Sequence, residues 1–246
     1  MTTSTGTPTT LTRAQRLHRI RAVHEIHNLI GRHAFFNAAG HYEDLIGAFA
    51  RRTPGVTVEL ADWGVYEGLD GARAALVGPL LEMARRNGEG MRVAFPELDV
   101  RDDRAGMLLE SSFTTPVIHV AEDGGSARGV WMVLAAQTGF NPDAGRPEAG
   151  WAWVHYAVDF VHEEGEEDGE DGAWRILRLR VVPRFRTVYG SSWVESSLRE
   201  QAPPPLTATS DRPPTAPLND YSVTRVLTYD PVPPEPYRTL DDLPPL

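Results

Sequence analysis

From Met91 to Val182 the chain reads as a succession of strand-like runs cut by turn-rich connectors, and this constrains the fold more than any other feature. Met91–Arg101, Met107–Val120, Arg128–Thr138, Trp151–His162 and Trp174–Val182 are the five strand candidates. The segments between them, Asp102–Gly106, Glu122–Gly125, Asn141–Gly150 and Glu163–Gly172, are rich in Gly, Asp and Pro, as turns between antiparallel neighbours are. Helical periodicity precedes the strands. A first helix is expected from Thr12, a suitable N-cap, through Asn37 to a stop at Gly40. A second runs from Tyr42 to Arg51, short strands follow at Val56–Leu60 and Asp62–Gly68, and a third helix spans Leu69–Asn87 with a break or kink at Gly78-Pro79. The expected fold is therefore α+β: three N-terminal helices packed on a curved, mostly antiparallel sheet.

At 246 residues and 41% hydrophobic content, the chain can bury one sizeable core. The expected plan is a flexible leader over 1–11, a domain over 12–200 and a proline-rich arm or tail over 201–246. The polar opening, MTTSTGTPTTLTRAQR, lacks the apolar block of a secretory signal, and no run of 18 apolar residues suggests a membrane span. A cytoplasmic location is the expectation. No cysteine is present, which excludes thiolate nucleophiles and Cys-based metal sites. All 24 basic residues are arginine, which excludes Schiff-base chemistry and a phosphate-loop lysine. The formal charge is −10, but seven acids crowd into His162–Gly172, expected to be a solvated hairpin loop. With no basic stripe to neutralise phosphates, nucleic acid is not an expected partner.

Chemistry centres on Ile26–Asn37. At 100° per residue, Val23, Ile26, Leu29, Ile30 and Phe36 form one apolar stripe, with His33 and Asn37 in its middle. A polar pair there is either satisfied by a buried partner or borders a cavity. His24 is expected outside the stripe; its i,i+3 spacing to His27 lacks a carboxylate to complete a metal site, and no metal is expected. In the strand WAWVHYAVDFVH, alternation puts Trp151, Trp153, His155, Ala157 and Asp159 on one face and Ala152, Val154, Tyr156, Val158 and Phe160 on the other. Which face lines a cavity is open at this stage. His155 and Asp159 lie about 13 Å apart along a strand, so each needs a partner from another element. Trp63 and Tyr66 near the cavity mouth, Tyr42 after the Gly40-His41 turn, and His119, Glu110 and Gln137 on the strands are further candidates. Arg178 and Arg180 share one parity and are expected on a solvated outer face. From Ala202 onward recurrent prolines block regular structure, yet Tyr221–Tyr229 is apolar enough for a strand or a docked arm.

Three strings resemble the SnoaL-like group of the nuclear transport factor 2-like superfold. Glu25–Ala50 (EIHNLIGRHAFFNAAGHYEDLIGAFA) is similar to the opening helix pair, Asp62–Leu76 (DWGVYEGLDGARAAL) to the strand, glycine and third-helix start, and Tyr156–Val161 with Ala173–Val182 to the last two strands. The resemblance covers about Arg13 to Val182. It implies a cone-shaped half-barrel with a pocket between the first helix and the concave sheet face, and membership among cofactor-free cyclases, dehydratases, isomerases and lyases as well as binding proteins. Some relatives release formaldehyde from lignin-derived diarylpropanoids. This chain departs from the common pattern in having His33 where Tyr is frequent, and no acid at Val158.

The expected activity is cofactor-independent acid–base lysis or isomerisation of a small hydroxylated aromatic or polyketide-like molecule: dehydration, or retro-aldol carbon–carbon cleavage. His33, with His155 and Asp159 facing it from the sheet, is the expected catalytic set. Asn37, Tyr42, Trp63, Tyr66, His119 and Trp153 are the expected substrate contacts. No cofactor is expected. The alternative is a non-catalytic binding or assembly module of the same fold, including a role like that of a ring-hydroxylating oxygenase small subunit. A homo-oligomer, dimer or trimer, with the C-terminal arm at its interface completes the expectation.

Overall fold

The computed structural model describes residues 11–60, 62–165, 172–197, 209–244 and 246. Most of the expected leader (1–10), the acidic loop over 166–171, and 198–208 lie outside the described residues.

Helix α1 spans Arg13–Ala39. Thr12 caps it through a reciprocal capping box with Gln15, and Gly40 ends it in the left-handed conformation at φ 75°. The predicted stripe turns inward: Ala22, Ile26, Ile30 and His33 are buried, with Val23, Leu29 and Phe36 packed beside them. After α2 (Tyr42–Gly47) come β1 (Thr57–Leu60) and β2 (Gly64–Glu67). Helix α3 then runs unbroken from Gly68 to Ala94, through Pro79. The proline removes one N–H from the helical ladder without ending it.

The run Met91–Arg101 is not a strand. Met91–Ala94 closes α3, and 95–107 is turns and loop. Gly88 and Gly90, which look like helix breakers, are instead points of close approach. A Cβ on Gly88 would meet the Asp103 backbone at 2.7 Å, and one on Gly90 would overlap the Phe140 ring. Between them, Asn87 donates to the Asp103 and Ala105 carbonyls and accepts from the Phe140 N–H. Tertiary contact overrides the local glycine signal here.

The other four runs are strands: β3 (Leu108–Val120), β4 (Ser126–Asn141), β5 (Arg146–Glu163) and β6 (Ala173–Val188). The curved, unclosed six-stranded sheet has the order β2-β1-β6-β5-β4-β3. Every pairing is antiparallel except β1 with β6. Helix α1 packs against β3 and β6, and α3 against β1, β2 and β4. The helix-side face of β5 is the greasier one, Ala152, Val154, Val158 and Phe160, which joins Ile26 and Ile30 in the core.

The opposite sheet face carries charges in cross-strand register. His119, Arg128, Asp159 and Arg178 lie side by side on β3, β4, β5 and β6. The C-terminal arm lies over this face. Asp230 takes the Arg180 guanidinium at 2.5 Å, the Arg128 guanidinium donates to the Pro244 carbonyl at 2.7 Å, and Thr215 donates to Glu59 at 2.8 Å. Residues 221–229 contain no strand. Arg180, expected in solvent, is buried between Glu59 and Asp230, because the arm and β1 supply its counter-charges. Glu163, counted among the solvated acids, is also buried and accepts the backbone N–H groups of Arg51, Arg52 and Thr53.

Candidate functional site

The helix-side face of the sheet is filled at one end and open at the other. At the filled end Trp131 meets Phe160 edge-on at 6.1 Å between centroids, and Phe113 meets Tyr156 at 4.9 Å. Toward the other end the inward positions shrink to Ser111 on β3 and Ala135 on β4. The space they leave is a cleft of about 1190 Å³ bounded by α1, α3, β3, β4 and β6. Its apolar wall includes Leu80, Met83, Leu109 and Phe140; its polar groups include Asn37, Ser111, Gln137 and Arg186. A cleft of this size accommodates a multi-ring organic molecule.

Helix α1 brings Asn37 to the cleft wall. His33, one turn nearer the core on the same stripe, is only 7% exposed, and its Nδ1 has no hydrogen-bond partner. Burial lowers its pKa to about 4, so the imidazole is neutral at physiological pH. Trp63, in the turn between β1 and β2, also lines the cleft, and its indole Nε1 is buried without a partner. Beside it Asp62 holds Arg186 through two hydrogen bonds, at 2.7 and 3.1 Å.

Tyr42 is buried at the edge of a second hollow, about 300 Å³, shared with Asp102 and Arg104. Leu109 borders both hollows. Burial raises the Tyr42 pKa. Tyr66 is packed in the core at 1% exposure rather than at the cleft mouth, because its β2 position faces the cluster that α3 covers.

The remaining expected site residues lie on the other face of the sheet. His155 Nδ1 donates to the Asp230 carbonyl at 3.1 Å, beneath the arm, and burial lowers its pKa. Asp159 is fully enclosed and accepts from Arg128 at 2.5 and 2.8 Å and from Arg178 at 3.4 Å. Burial raises its pKa against the pull of both guanidiniums. His119 sits opposite Arg128 in the same row, and Trp153 opposite Leu134 and Phe185. His119, Trp153, His155 and Asp159 are thus separated from His33 by the sheet itself. Strand alternation sorts Trp153, His155 and Asp159 into one set, and the other, greasier set is the one that turns to the helices.

Arg186 and Asp62 are the site residues that sequence reasoning misses. Simple alternation puts Arg186 on the face of Arg178 and Arg180. The register shift between Trp153 and Val154 inserts Arg184 as an extra residue, so Arg186 falls opposite Ala152, on the cleft side. The mark that this bulge leaves in the run RVVPRFR is Pro183, since a central strand admits proline only where the ladder is interrupted. Among the described residues no group of three metal-ligating side chains occurs, and no helix is long and apolar enough to cross a membrane.

Two long helices, α1 and α3, with the short α2, laid over one face of a curved, unclosed mixed sheet make a nuclear transport factor 2-like fold. Within that class the chain belongs to the SnoaL-like family: the model of the SnoaL-like domain matches residues 18–180. Among solved structures it is similar to hexachlorocyclohexane dehydrochlorinase LinA-type3 from Novosphingobium barchaimii LL02, with 12% identity and a TM-score of 0.50 over 72% of this chain and 96% of that one. LinA itself gives 12% and 0.50 over 77% and 99%. ActVI-ORFA from Streptomyces coelicolor gives 15% and 0.42 over 66% and 96%. At such identities the likeness concerns the fold. No curated protein sequence matches the chain.

Proposed function

We propose that this protein is a cofactor-independent acid–base lyase or isomerase whose substrate, a small hydroxylated aromatic or polyketide-like molecule, occupies the large cleft. One observation carries this reading: His33, a neutral imidazole with an unpartnered Nδ1, sits one turn from the cleft-lining Asn37 on the same helix face. A neutral ring can accept a proton from carbon or from a substrate hydroxyl and return it in a later step. In dehydration the proton leaves the carbon beside a carbonyl and the hydroxyl departs with a proton as water. In retro-aldol cleavage the proton leaves a hydroxyl, the carbon–carbon bond breaks, and an aldehyde is released. The Asn37 amide can donate to the oxygen on which charge develops.

The test is a screen of hydroxylated aromatic compounds for released aldehyde or loss of water. With a substrate in hand, His33→Ala and the more isosteric His33→Gln should each lower kcat by about a hundredfold or more. Unchanged turnover in a folded His33→Gln protein removes the central role. A binding module is the second reading. It is favoured by the absence of any histidine from the cleft lining itself, and predicts ligand retention without turnover. A cytoplasmic dimer or trimer belongs to the same proposal and is checked by light scattering.

A further inference from the structure

Every cation on the wall of the large cleft is already held by a carboxylate of the same chain. Arg186 lies against Asp62 in a two-point pair with the geometry a guanidinium would otherwise offer to a ligand carboxylate. Arg86 donates to Glu82 at 2.5 Å, and Glu82 also takes Arg85, which reaches on to Glu89. Glu110 alternates with Leu109 and Ser111 on β3 and turns its carboxylate to the other face of the sheet, so the charges around the cleft are paired and balanced. What the wall offers unengaged is neutral. The side chains of Asn37, Ser111 and Gln137 line it and make no hydrogen bond within the described chain. An amide or hydroxyl of this kind donates to a carbonyl and accepts from a hydroxyl.

Building on the reading of this cleft as the substrate site, we infer that its ligand is an uncharged, oxygenated aromatic molecule, and that Asp62 sets this specificity by occupying Arg186. A ligand carboxylate would meet a guanidinium whose fork is filled and a wall with no positive charge to spare. A ketone or phenol would meet neutral donors and acceptors at no such cost.

Two naphthalenes of nearly equal shape test this: 2-acetonaphthone, with a neutral carbonyl, and 2-naphthoate, with a carboxylate. Dissociation constants are measured by calorimetry at pH 7.5 and low salt. The unaltered protein should bind the ketone about tenfold tighter than the carboxylate, a preference that shrinks as salt is added. Asp62→Asn keeps the side-chain shape but frees the guanidinium, so it should tighten naphthoate about tenfold while moving acetonaphthone less than about threefold. The double variant Asp62→Asn/Arg186→Gln should lose that gain. Equal binding of the two probes by the unaltered protein overturns the inference. So does an Asp62→Asn protein that gains nothing, or a gain that survives in the double variant. If acetonaphthone binds without preference, only the specificity claim falls. If neither probe binds, the cleft is not the ligand site and the proposed function falls with it.

Discussion

A buried imidazole is a liability below neutral pH. The pKa of His33 falls from 6.5 to about 4 on burial, so between those values the unfolded chain binds a proton that the folded chain does not. Stability is unaffected above pH 6.5 and falls as the pH drops through this window, by about 3 kcal/mol once pH 4 is reached. Urea denaturation at a series of pH values should therefore show a slope that His33→Phe removes, whatever its effect at pH 7. An unchanged slope in the variant would place His33 in contact with solvent. The inward turn of His33 was legible because one stripe of α1 gathers Val23, Ile26, Leu29, Ile30 and Phe36 around it, while Leu17, Ile20 and Phe35 fall outside that stripe and stay exposed. Asp159 teaches the reverse. Its alternation with Trp153 and His155 was readable, but its partners Arg128 and Arg178 come from neighbouring strands, and pairing across a sheet is a property of register, not of local sequence. Its role is that of a buried counter-ion. Asp159→Ala should destabilise the fold by about 3 kcal/mol or more, since two guanidiniums lose their shared carboxylate, and thermal melts read this directly.

Secondary-structure elements were readable where hydrophobic period and turn chemistry agreed, and misread where a packing contact explains the residue instead. The capping box at Thr12 and the glycine at 40 are local devices, so the limits of α1 could be read from the sequence. The far end of α3 could not. Gly88 and Gly90 carry the signature of a terminus, yet the helix continues because the loop at Asp103 and the ring of Phe140 press against it. Gly88→Ala separates the two explanations. If glycine were there as a helix breaker, alanine would stabilise the helix by about 0.5–1 kcal/mol. Because the Asp103 backbone stands 2.7 Å from where the new Cβ would be, the substitution should instead cost about 1–3 kcal/mol, measured by the midpoint of denaturant unfolding. The bulge at Arg184 is the same lesson on β6: one inserted residue carries Arg186 to the cleft side and reverses the parity on which a strand reading depends.

At the scale of the molecule, the sheet has two faces of different chemistry, and the chain covers each in a different way. The helix-side face is sealed at one end by aromatic packing and left hollow at the other, where α3 closes over it. The opposite face holds a band of buried charge, Glu59, Arg180, Asp159 and Arg128, turned away from α1 and α3. Residues 209–244 supply its cover, and they do so with polar chemistry: Asp230 on Arg180, the Asp230 carbonyl on His155, the Thr228 carbonyl on Arg184, the Tyr237 hydroxyl near Ser126. Recurrent proline suits this task, because an arm that holds to a sheet through side chains and scattered carbonyls has no ladder to complete. The arm is therefore part of the folded unit. A chain ending at residue 208 would leave Arg180, Arg184 and His155 without their partners in the arm and open the face on which Val130 and Val182 are buried. It should melt at a temperature several degrees lower, bind more 8-anilinonaphthalene-1-sulfonate and aggregate at lower concentration. The same truncation should leave probe binding in the cleft unchanged at temperatures where the protein stays folded, because none of the residues lining the cleft belongs to the arm. Loss of acetonaphthone binding in a folded truncated chain would instead tie the two faces together.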